Sequence, residues 1–391
     1  MRISILLLFI LSSWHCTPKG SIRGQLQLSG STAEEWKLYL IRPMRLADIA
    51  SSYTGDIIDS ATLEASGKFW FKGLPKSSSA VFYEIVLQNR GERFPNRLND
   101  DDPLLSNYLP ILYAEGETIL ISAEAKAFQA TAQIHKPSAA NAELLLLRDK
   151  RVEAFRQYLQ SKSTDAHDEE KMLEYAKSLE DFRAELRVPA ESTQQLSISL
   201  LALQWAKAGS DYERLAEFVD GLCTKWRTSL PNDPFVKDLC LLSDPSKRPI
   251  LVGDLVPNEG LPLLSGGTAE IRRLLGPKLT LLDFWASWCA PCRKENRNTL
   301  VPLWSEYHER GFQIIGYALE SDRKLWEKAI QRDSVHLWPH ASHLQGDEAP
   351  FLKTLRLTTI PANLLLDAQG KILAKNLHGE ELRIFVEAYL K

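Results

Sequence analysis

The residues best suited to chemistry are Cys289 and Cys292, which flank a single Ala-Pro pair in "DFWASWCAPCRKE", residues 283–295. Two cysteines at this spacing can form half of a zinc site, a structural crosslink, or a dithiol that opens and closes during catalysis. A crosslink is a poor explanation, because closing so short a loop removes little entropy from the unfolded chain.

A zinc site is a poor explanation as well, and we predict no metal. The chain has five cysteines and no second C-x-x-C, so the remaining ligands would have to be histidines. The candidates are His336, His340 and His343 in "HLWPHASH". Pro339 lies among them and argues against the single helix face that their spacing would require.

A redox-active dithiol has direct physical support. The run "KLTLLDFWA" predicts a buried strand and "PCRKENRNTLVPLWSEYHERG" a helix, which places Cys289 at the helix N-terminus. Unpaired backbone N–H groups and the helix dipole stabilise a thiolate there and lower the pKa of the thiol. Cys292 lies one turn into the helix, where it can resolve a mixed disulfide, and Pro291 suits the first turn, where its missing N–H is not needed.

The elements that must position this dithiol occupy residues 250–391. After the first strand and helix, "FQIIGYALE" predicts a strand, "DRKLWEKAIQRD" a helix, "ANLLLDAQGKILAKNL" a hairpin and "GEELRIFVEAYLK" a closing helix. Strands separated by helices imply an α/β fold with a mixed sheet covered on both faces. The Pro- and Gly-rich run "LLSDPSKRPILVGDLVPNEGLPLL" marks the boundary before it.

Two segments of different character precede that domain. Residues 21–134 contain short runs rich in β-branched and aromatic residues, separated by turn residues, and predict an antiparallel sandwich or small barrel. Residues 137–245 change to a helical period and predict about four or five helices. Cys223 and Cys240 lie in this helical segment; they are explained as small buried side chains, and a disulfide between them is an open alternative that spacing does not decide.

Composition sets the broad class. The chain has 391 residues, of which 44% are hydrophobic and 25% charged, so it is a folded protein of roughly two or three domains. Its net charge of −3 gives no basic field, and we predict no nucleic-acid partner.

The N-terminus is expected to be a targeting segment, residues 1–16. The apolar run "ISILLLFIL" is short for a membrane span and suits the hydrophobic region of an export signal. Cys16 follows it in "LSSWHCTPKG", which resembles a bacterial lipoprotein signal in which that cysteine is lipidated, although Trp14 and His15 replace the usual small residues. We therefore expect a lipid-anchored protein of the bacterial envelope that faces the periplasm, where disulfides persist unless they are reduced.

Two segments, "LLDFWASWCAPCRKE" and "LRLTTIPANLLLDAQGKILAKNLHGEEL", resemble the thioredoxin fold, and more narrowly the TlpA/ResA-like thiol–disulfide oxidoreductases of bacterial envelopes. The resemblance covers about residues 254–391. The β-rich and helical segments resemble, more loosely, modules that precede such domains in some envelope lipoproteins. The expected fold class is therefore multidomain: an N-terminal β-sandwich-like domain, a helical middle segment and a C-terminal α/β thioredoxin fold.

The resemblance also implies roles for individual residues. Cys289 is the nucleophile, Cys292 the resolving thiol and Pro361 a cis-proline whose loop faces them. Asp283 and Glu295 match acids that the family uses to accept a proton from the resolving cysteine. The remaining implied residues contact the substrate around the dithiol: Trp288, Ala290, Pro291 and Ile360.

The predicted function is exchange of this dithiol with the disulfides of client proteins, with no cofactor beyond the redox-active cysteine pair. The resemblance implies that the protein acts as a reductant and receives its electrons from a membrane-embedded thiol carrier. It also implies that some of its client proteins can belong to cytochrome c maturation. One alternative is a peroxiredoxin-like peroxidase, which would need a lone peroxidatic cysteine where this chain has C-x-x-C. Another is a partner-binding module with a vestigial dithiol.

Overall fold

The computed structural model describes residues 20–52, 54–162, 169–207 and 212–391. The predicted signal segment and Cys16 lie outside these residues. The described chain forms two compact units, the first ending at Val152 and the second running from Glu153 to Lys391. The finer division into domains at 21–134, 137–245 and 250–391 stays a prediction. Within the described ranges, we find no helix with the length and apolar character needed to cross a membrane.

The first unit is rich in strands, as predicted. Its two four-stranded sheets have the orders β4-β1-β7-β8 and β3-β2-β5-β6. The strands are β1 (Ser21–Gln27), β2 (Trp36–Arg42), β3 (Asp56–Thr62), β4 (Lys68–Phe71), β5 (Val81–Asn89), β6 (Tyr108–Tyr113), β7 (Thr118–Glu124) and β8 (Gln133–His135). Helix α1 (Phe128–Thr131) precedes β8, and α2 (Ala139–Ala154) follows it.

Both sheets contribute side chains to one core of this unit. Ile22 and Ile121 come from the first sheet, and Leu40 and Ile85 from the second. The expectation of purely antiparallel pairing is wrong at one place, because β1 and β7 run parallel along their whole length. A parallel neighbour requires a crossover connection, and here the chain passes through the second sheet between the two strands. The assignment of this unit as a β-sandwich-like domain stays a prediction.

The second unit begins with helices, in line with the helical period of the sequence. They are α3 (Glu169–Ser192), α4 (Leu196–Ala206), α5 (Ala216–Ser229) and α6 (Pro234–Leu242). A disulfide joins Cys223 on α5 to Cys240 on α6, with Cα atoms 5.1 Å apart. The sequence left open whether these two cysteines form a disulfide, and the structure shows that they do. They lie 17 residues apart in the chain, and the facing sides of the two helices bring them together.

The rest of the second unit is an α/β fold around a five-stranded sheet of order β13-β12-β11-β14-β15. Its strands are β11 (Leu279–Trp285), β12 (Phe312–Ala318), β13 (His340–Ala341), β14 (Ala362–Asp367) and β15 (Ile372–Lys375), after a small hairpin of β9 (Gly260–Pro262) and β10 (Thr268–Glu270). Its helices are α7 (Ile271–Leu274), α8 (Ala290–Glu295), α9 (Val301–Tyr307), α10 (Arg323–Asp333), α11 (Pro350–Leu355) and α12 (Gly379–Leu390).

The central strand explains why the sequence folds this way. Every residue of β11 is buried, which is typical of a strand covered on both faces. It pairs in parallel with β12 and antiparallel with β14, so the sheet is mixed as predicted. The predicted hairpin is formed by β14 and β15, and Gly370 adopts a φ of 82° at its turn, a conformation that glycine allows most readily.

Candidate active site

The two cysteines lie where β11 gives way to a helix. Cys289 is the N-cap residue of α8, and its Sγ accepts a hydrogen bond from the backbone N–H of Cys292 at 3.3 Å. The two form a disulfide with Cα atoms 5.3 Å apart. Both residues are buried in this oxidised form, with 5% and 3% of their surfaces exposed, so exposure hardly distinguishes the proposed nucleophile from the proposed resolving thiol.

The predicted contact residues around the dithiol differ in accessibility. Trp288 is 63% exposed immediately before Cys289, which leaves a large aromatic surface open to a partner. Ala290 is half-buried, whereas Pro291 is buried within the first turn of α8. Trp288 is therefore the most accessible of these three residues.

The Ile360–Pro361 peptide bond is cis, and both residues are half-buried. The strand register fixes their position relative to the dithiol. Ala362, which follows Pro361, pairs with Phe284 near the end of β11. The cis-proline loop and the loop that leads to Cys289 therefore lie at the same end of the sheet.

Two buried acids accompany the cysteines. Asp283 lies on β11, and Glu295 ends α8. Burial, and secondly the charge of Glu295, raise the pKa of the Asp283 carboxyl well above its ordinary value of 3.8. A carboxyl that retains its proton to higher pH is suited to exchanging a proton with a thiol.

Glu295 is held in place from the start of α12. Its carboxylate contacts His378 Nδ1 at 2.7 Å and accepts a hydrogen bond from the Gly379 N–H at 3.2 Å. His378 is only partly buried, so it lies between this carboxylate and solvent. The sequence did not indicate His378, because it lies 83 positions from Glu295 in the chain.

Other polar groups that sequence reasoning missed hold the loop before Cys289. The N–H of Ser287 donates to the buried carboxylate of Glu320, and the carbonyl of Ser287 accepts from Arg293 Nη1 at 3.1 Å. Arg293 is in turn paired with the fully buried Asp333, which also accepts from Arg297 Nη1 at 2.9 Å. One signal was available: a glutamate directly after the apolar run "FQIIGYAL" is costly to bury unless it is bonded.

Two of the three histidines considered as metal ligands have other partners. His340 is buried with its Nε2 2.8 Å from the carbonyl oxygen of Val335, and burial lowers its pKa to about 4. His343 Nδ1 lies 2.7 Å from the hydroxyl of Tyr317. Across the described parts of the chain, we find no group of three His, Cys, Asp or Glu side chains that could hold a metal ion.

Known proteins resemble part of this chain. The profile of the thioredoxin-like family matches residues 276–372. The thiol-disulfide oxidoreductase ResA of Bacillus thuringiensis subsp. konkukian is 30% identical over 141 residues, which cover 36% of this chain and 77% of that protein. ResA of Oceanobacillus iheyensis is 36% identical over 125 residues, covering 31% of this chain and 62% of that protein.

The chain was also compared with solved structures. A thiol-disulfide oxidoreductase from Bacteroides fragilis is 32% identical, with 34% of this chain and 98% of that chain covered and a TM-score of 0.33. The sequence match to ResA extends over more than two thirds of the relative's length. The chain therefore belongs to the ResA-like family of thioredoxin-fold proteins and is a thiol–disulfide oxidoreductase.

Proposed function

We propose that the protein reduces disulfide bonds in client proteins of the bacterial envelope, with Cys289 and Cys292 as its redox-active pair. The observation that carries this proposal is the disulfide at the start of α8, which lies at the same end of the sheet as a cis-proline loop and follows a strand that carries a buried acid of raised pKa. The closed Cys289–Cys292 disulfide favours dithiol exchange over peroxidase chemistry based on a lone cysteine.

The reaction starts from the reduced dithiol. The Cys289 thiolate attacks one sulfur of the client disulfide, forming a mixed disulfide while the other client sulfur leaves as a thiolate. Cys292, once deprotonated, attacks Cys289 Sγ and releases the second client sulfur. The client disulfide is reduced by two electrons, and the protein ends with the Cys289–Cys292 bond. Cys289 attacks first because its helix N-cap position stabilises a thiolate.

Resolution of the mixed disulfide needs a base for the Cys292 thiol. Asp283 is the proposed acceptor, because its carboxyl is buried on β11 and its raised pKa makes it a better proton acceptor than an ordinary aspartate. Glu295 is the second candidate; its charge also raises the pKa of Asp283. Proton transfer to solvent then resets the acid for another cycle.

The electron supply and location follow the same proposal. We propose that a membrane-embedded thiol carrier is the electron donor. We also propose that some client proteins belong to cytochrome c maturation. Attachment through a lipid on Cys16 would keep the protein near that donor, and the position of Cys16 after an apolar run supports it. Mass spectrometry of the mature N-terminus tests the anchor; an unmodified Cys16 in a freely soluble protein would contradict it.

The upstream segments are proposed to be separate modules. A β-sandwich-like domain at 21–134 is supported by the core that its two sheets share. A helical segment at 137–245 and the thioredoxin-like domain at 250–391 complete the proposed organisation.

Insulin reduction tests the function directly. The wild type, recycled by dithiothreitol, is expected to accelerate the reduction of insulin disulfides. Cys289→Ser is expected to abolish this acceleration, whereas Cys240→Ser retains it. A wild type no faster than dithiothreitol alone, or an active Cys289→Ser, would contradict the proposal.

A further inference from the structure

A short segment just before α5, residues 213 and 214, contacts the cis-proline loop. Arg214 Nη2 donates a hydrogen bond to the carbonyl oxygen of Pro361 at 3.0 Å. The carboxylate of Glu213 accepts two hydrogen bonds from Thr358, one from the backbone N–H at 2.8 Å and one from Oγ1 at 2.6 Å. Two consecutive side chains of the helical segment therefore hold both sides of the cis peptide bond.

The next turn of the chain fixes this segment to the same fold. Glu217, in the first turn of α5, accepts a hydrogen bond from the Val252 N–H at 3.2 Å and pairs with Lys375 Nζ at 2.9 Å. Glu213 and Arg214 are half-buried. The Arg214–Pro361 bond is partly buried, whereas the two Glu213–Thr358 bonds are exposed. Charged hydrogen bonds are stronger than neutral ones, and least weakened where they are shielded from water, so Arg214 is the firmer restraint on the loop.

The loop that they hold lies at the same end of the sheet as the dithiol. Pro361 precedes Ala362, whose partner in the sheet is Phe284 near the end of β11. A client polypeptide large enough to cover this end of the sheet can contact both the exposed Trp288 and this loop. A small disulfide, by contrast, needs to reach only the sulfur atom.

We propose that Glu213 and Arg214 are positioning residues that hold the cis-proline loop in the shape against which an extended client polypeptide docks, and thereby favour protein disulfides over small ones. This inference rests on the proposed exchange of the dithiol with client proteins. It gives the helical segment a role in substrate choice, although the reacting atoms all lie in the thioredoxin-like domain.

The test compares two substrates in the full-length protein. Arg214→Ala is expected to raise KM for insulin about tenfold, the effect of losing one charged hydrogen bond, with kcat within about twofold. The rate constant for reduction of 5,5'-dithiobis(2-nitrobenzoic acid) by the prereduced protein should not change. Arg214→Lys, which retains a donor, should recover most of the affinity. Arg227→Ala, an exposed arginine on α5, is the matched control and should leave both substrates unaffected.

A second pair of variants separates positioning from loss of fold. Thr358→Val removes one of the two bonds to Glu213 and retains the backbone bond, so it should raise KM for insulin less than Glu213→Ala does, because alanine removes the acceptor of both bonds. The inference would be overturned if a variant lost activity equally on insulin and on 5,5'-dithiobis(2-nitrobenzoic acid) and also had a lowered Tm, because the contact would then be purely structural. An unchanged KM for insulin in Arg214→Ala would also overturn it. A wild type that reduces neither disulfide would instead overturn the proposed function, and this inference with it.

Discussion

The second unit contains two disulfides whose surroundings differ more than their geometry. The Cα atoms are 5.1 Å apart in Cys223–Cys240 and 5.3 Å apart in Cys289–Cys292, and Cys223 is as deeply buried as Cys292. The Cα separation therefore does not distinguish the two disulfides, and their exposure differs only in that Cys240 is half-buried. Cys223 lies inside α5, whereas Cys289 caps a helix at the end of a buried strand that carries an acid.

This comparison shows that the backbone position of a cysteine and the acids near it determine its chemistry. A thiolate at a helix N-terminus is stabilised by unpaired N–H groups, and a cysteine in mid-helix lacks them. The longer loop closed by Cys223–Cys240 also removes more entropy from the unfolded chain. We expect one disulfide to perform exchange and the other to stabilise the fold.

The largest expected difference is covalent trapping. Cys292→Ser should accumulate mixed disulfides with client proteins through Cys289, because no thiol is left to resolve them. Cys240→Ser, which frees the buried Cys223, should accumulate none. Non-reducing electrophoresis and mass spectrometry of the crosslinked peptides measure both. Trapping in Cys289→Ser instead would reverse the roles of the two cysteines.

Removing the helical disulfide should affect stability and leave catalysis intact. Cys223→Ala/Cys240→Ala is expected to lower the free energy of unfolding by about 3 kcal/mol, the value for a loop of this length. Insulin reduction at a temperature where the variant is folded should stay within about twofold of the wild type. A large loss of activity in the folded variant would mean that this disulfide takes part in exchange.

Asp283→Asn should slow exchange by roughly 10- to 100-fold, because the proposed base is removed. The same change should stabilise the fold increasingly as pH rises. The folded carboxyl has a raised pKa, so its contribution to stability is fully present below its ordinary pKa of 3.8 and is lost as pH rises through the folded value. Asparagine does not titrate, so the stability of the variant does not fall with pH at this position.

The paired measurements for Asp283→Asn are chemical denaturation at pH 5 and pH 8 and insulin reduction between pH 6 and 9. The stability gain should be larger at pH 8. Unchanged rates over the whole range would assign the base to Glu295 or to solvent, and a gain that shrinks with pH would contradict the raised pKa.

Glu295→Gln should have the smallest effect and should slow insulin reduction at neutral pH by less than about tenfold. Removing its charge lowers the pKa of Asp283 toward the ordinary value, so the acid limb of the pH–rate profile should move to lower pH. The same substitution made in Asp283→Asn should produce no such shift. A shift that persists in the double variant would mean that another group titrates.

Local sequence was enough to predict the parts of the site that lie close together in the chain. The strand, the cysteine pair and the first turn of α8 span a short run, and the period of the apolar residues predicts them directly. The thioredoxin-like fold and the family were confirmed by the comparisons. The cis peptide bond was expected only from the resemblance, because an ordinary X-Pro bond is usually trans.

The contacts that sequence did not predict are those made across the fold. Glu320 lies 33 positions from Ser287, and Arg214 lies 147 positions from Pro361. Hydrophobic periodicity shows which face of an element is buried, and it does not show which element covers that face. The Cys223–Cys240 bond and the parallel pairing of β1 with β7 were undecided or wrong for this reason.

A redox titration of the intact protein tests most directly whether Cys289–Cys292 is redox-active and Cys223–Cys240 is structural. The protein is equilibrated in thiol buffers from about −120 to −300 mV, free cysteines are alkylated, and peptide mass spectrometry counts the label at each cysteine. Cys289 and Cys292 should become reduced within this range while Cys223 and Cys240 remain joined. Reduction of Cys223–Cys240 before or together with the Cys289–Cys292 pair would contradict the claim that their surroundings give the two disulfides different roles.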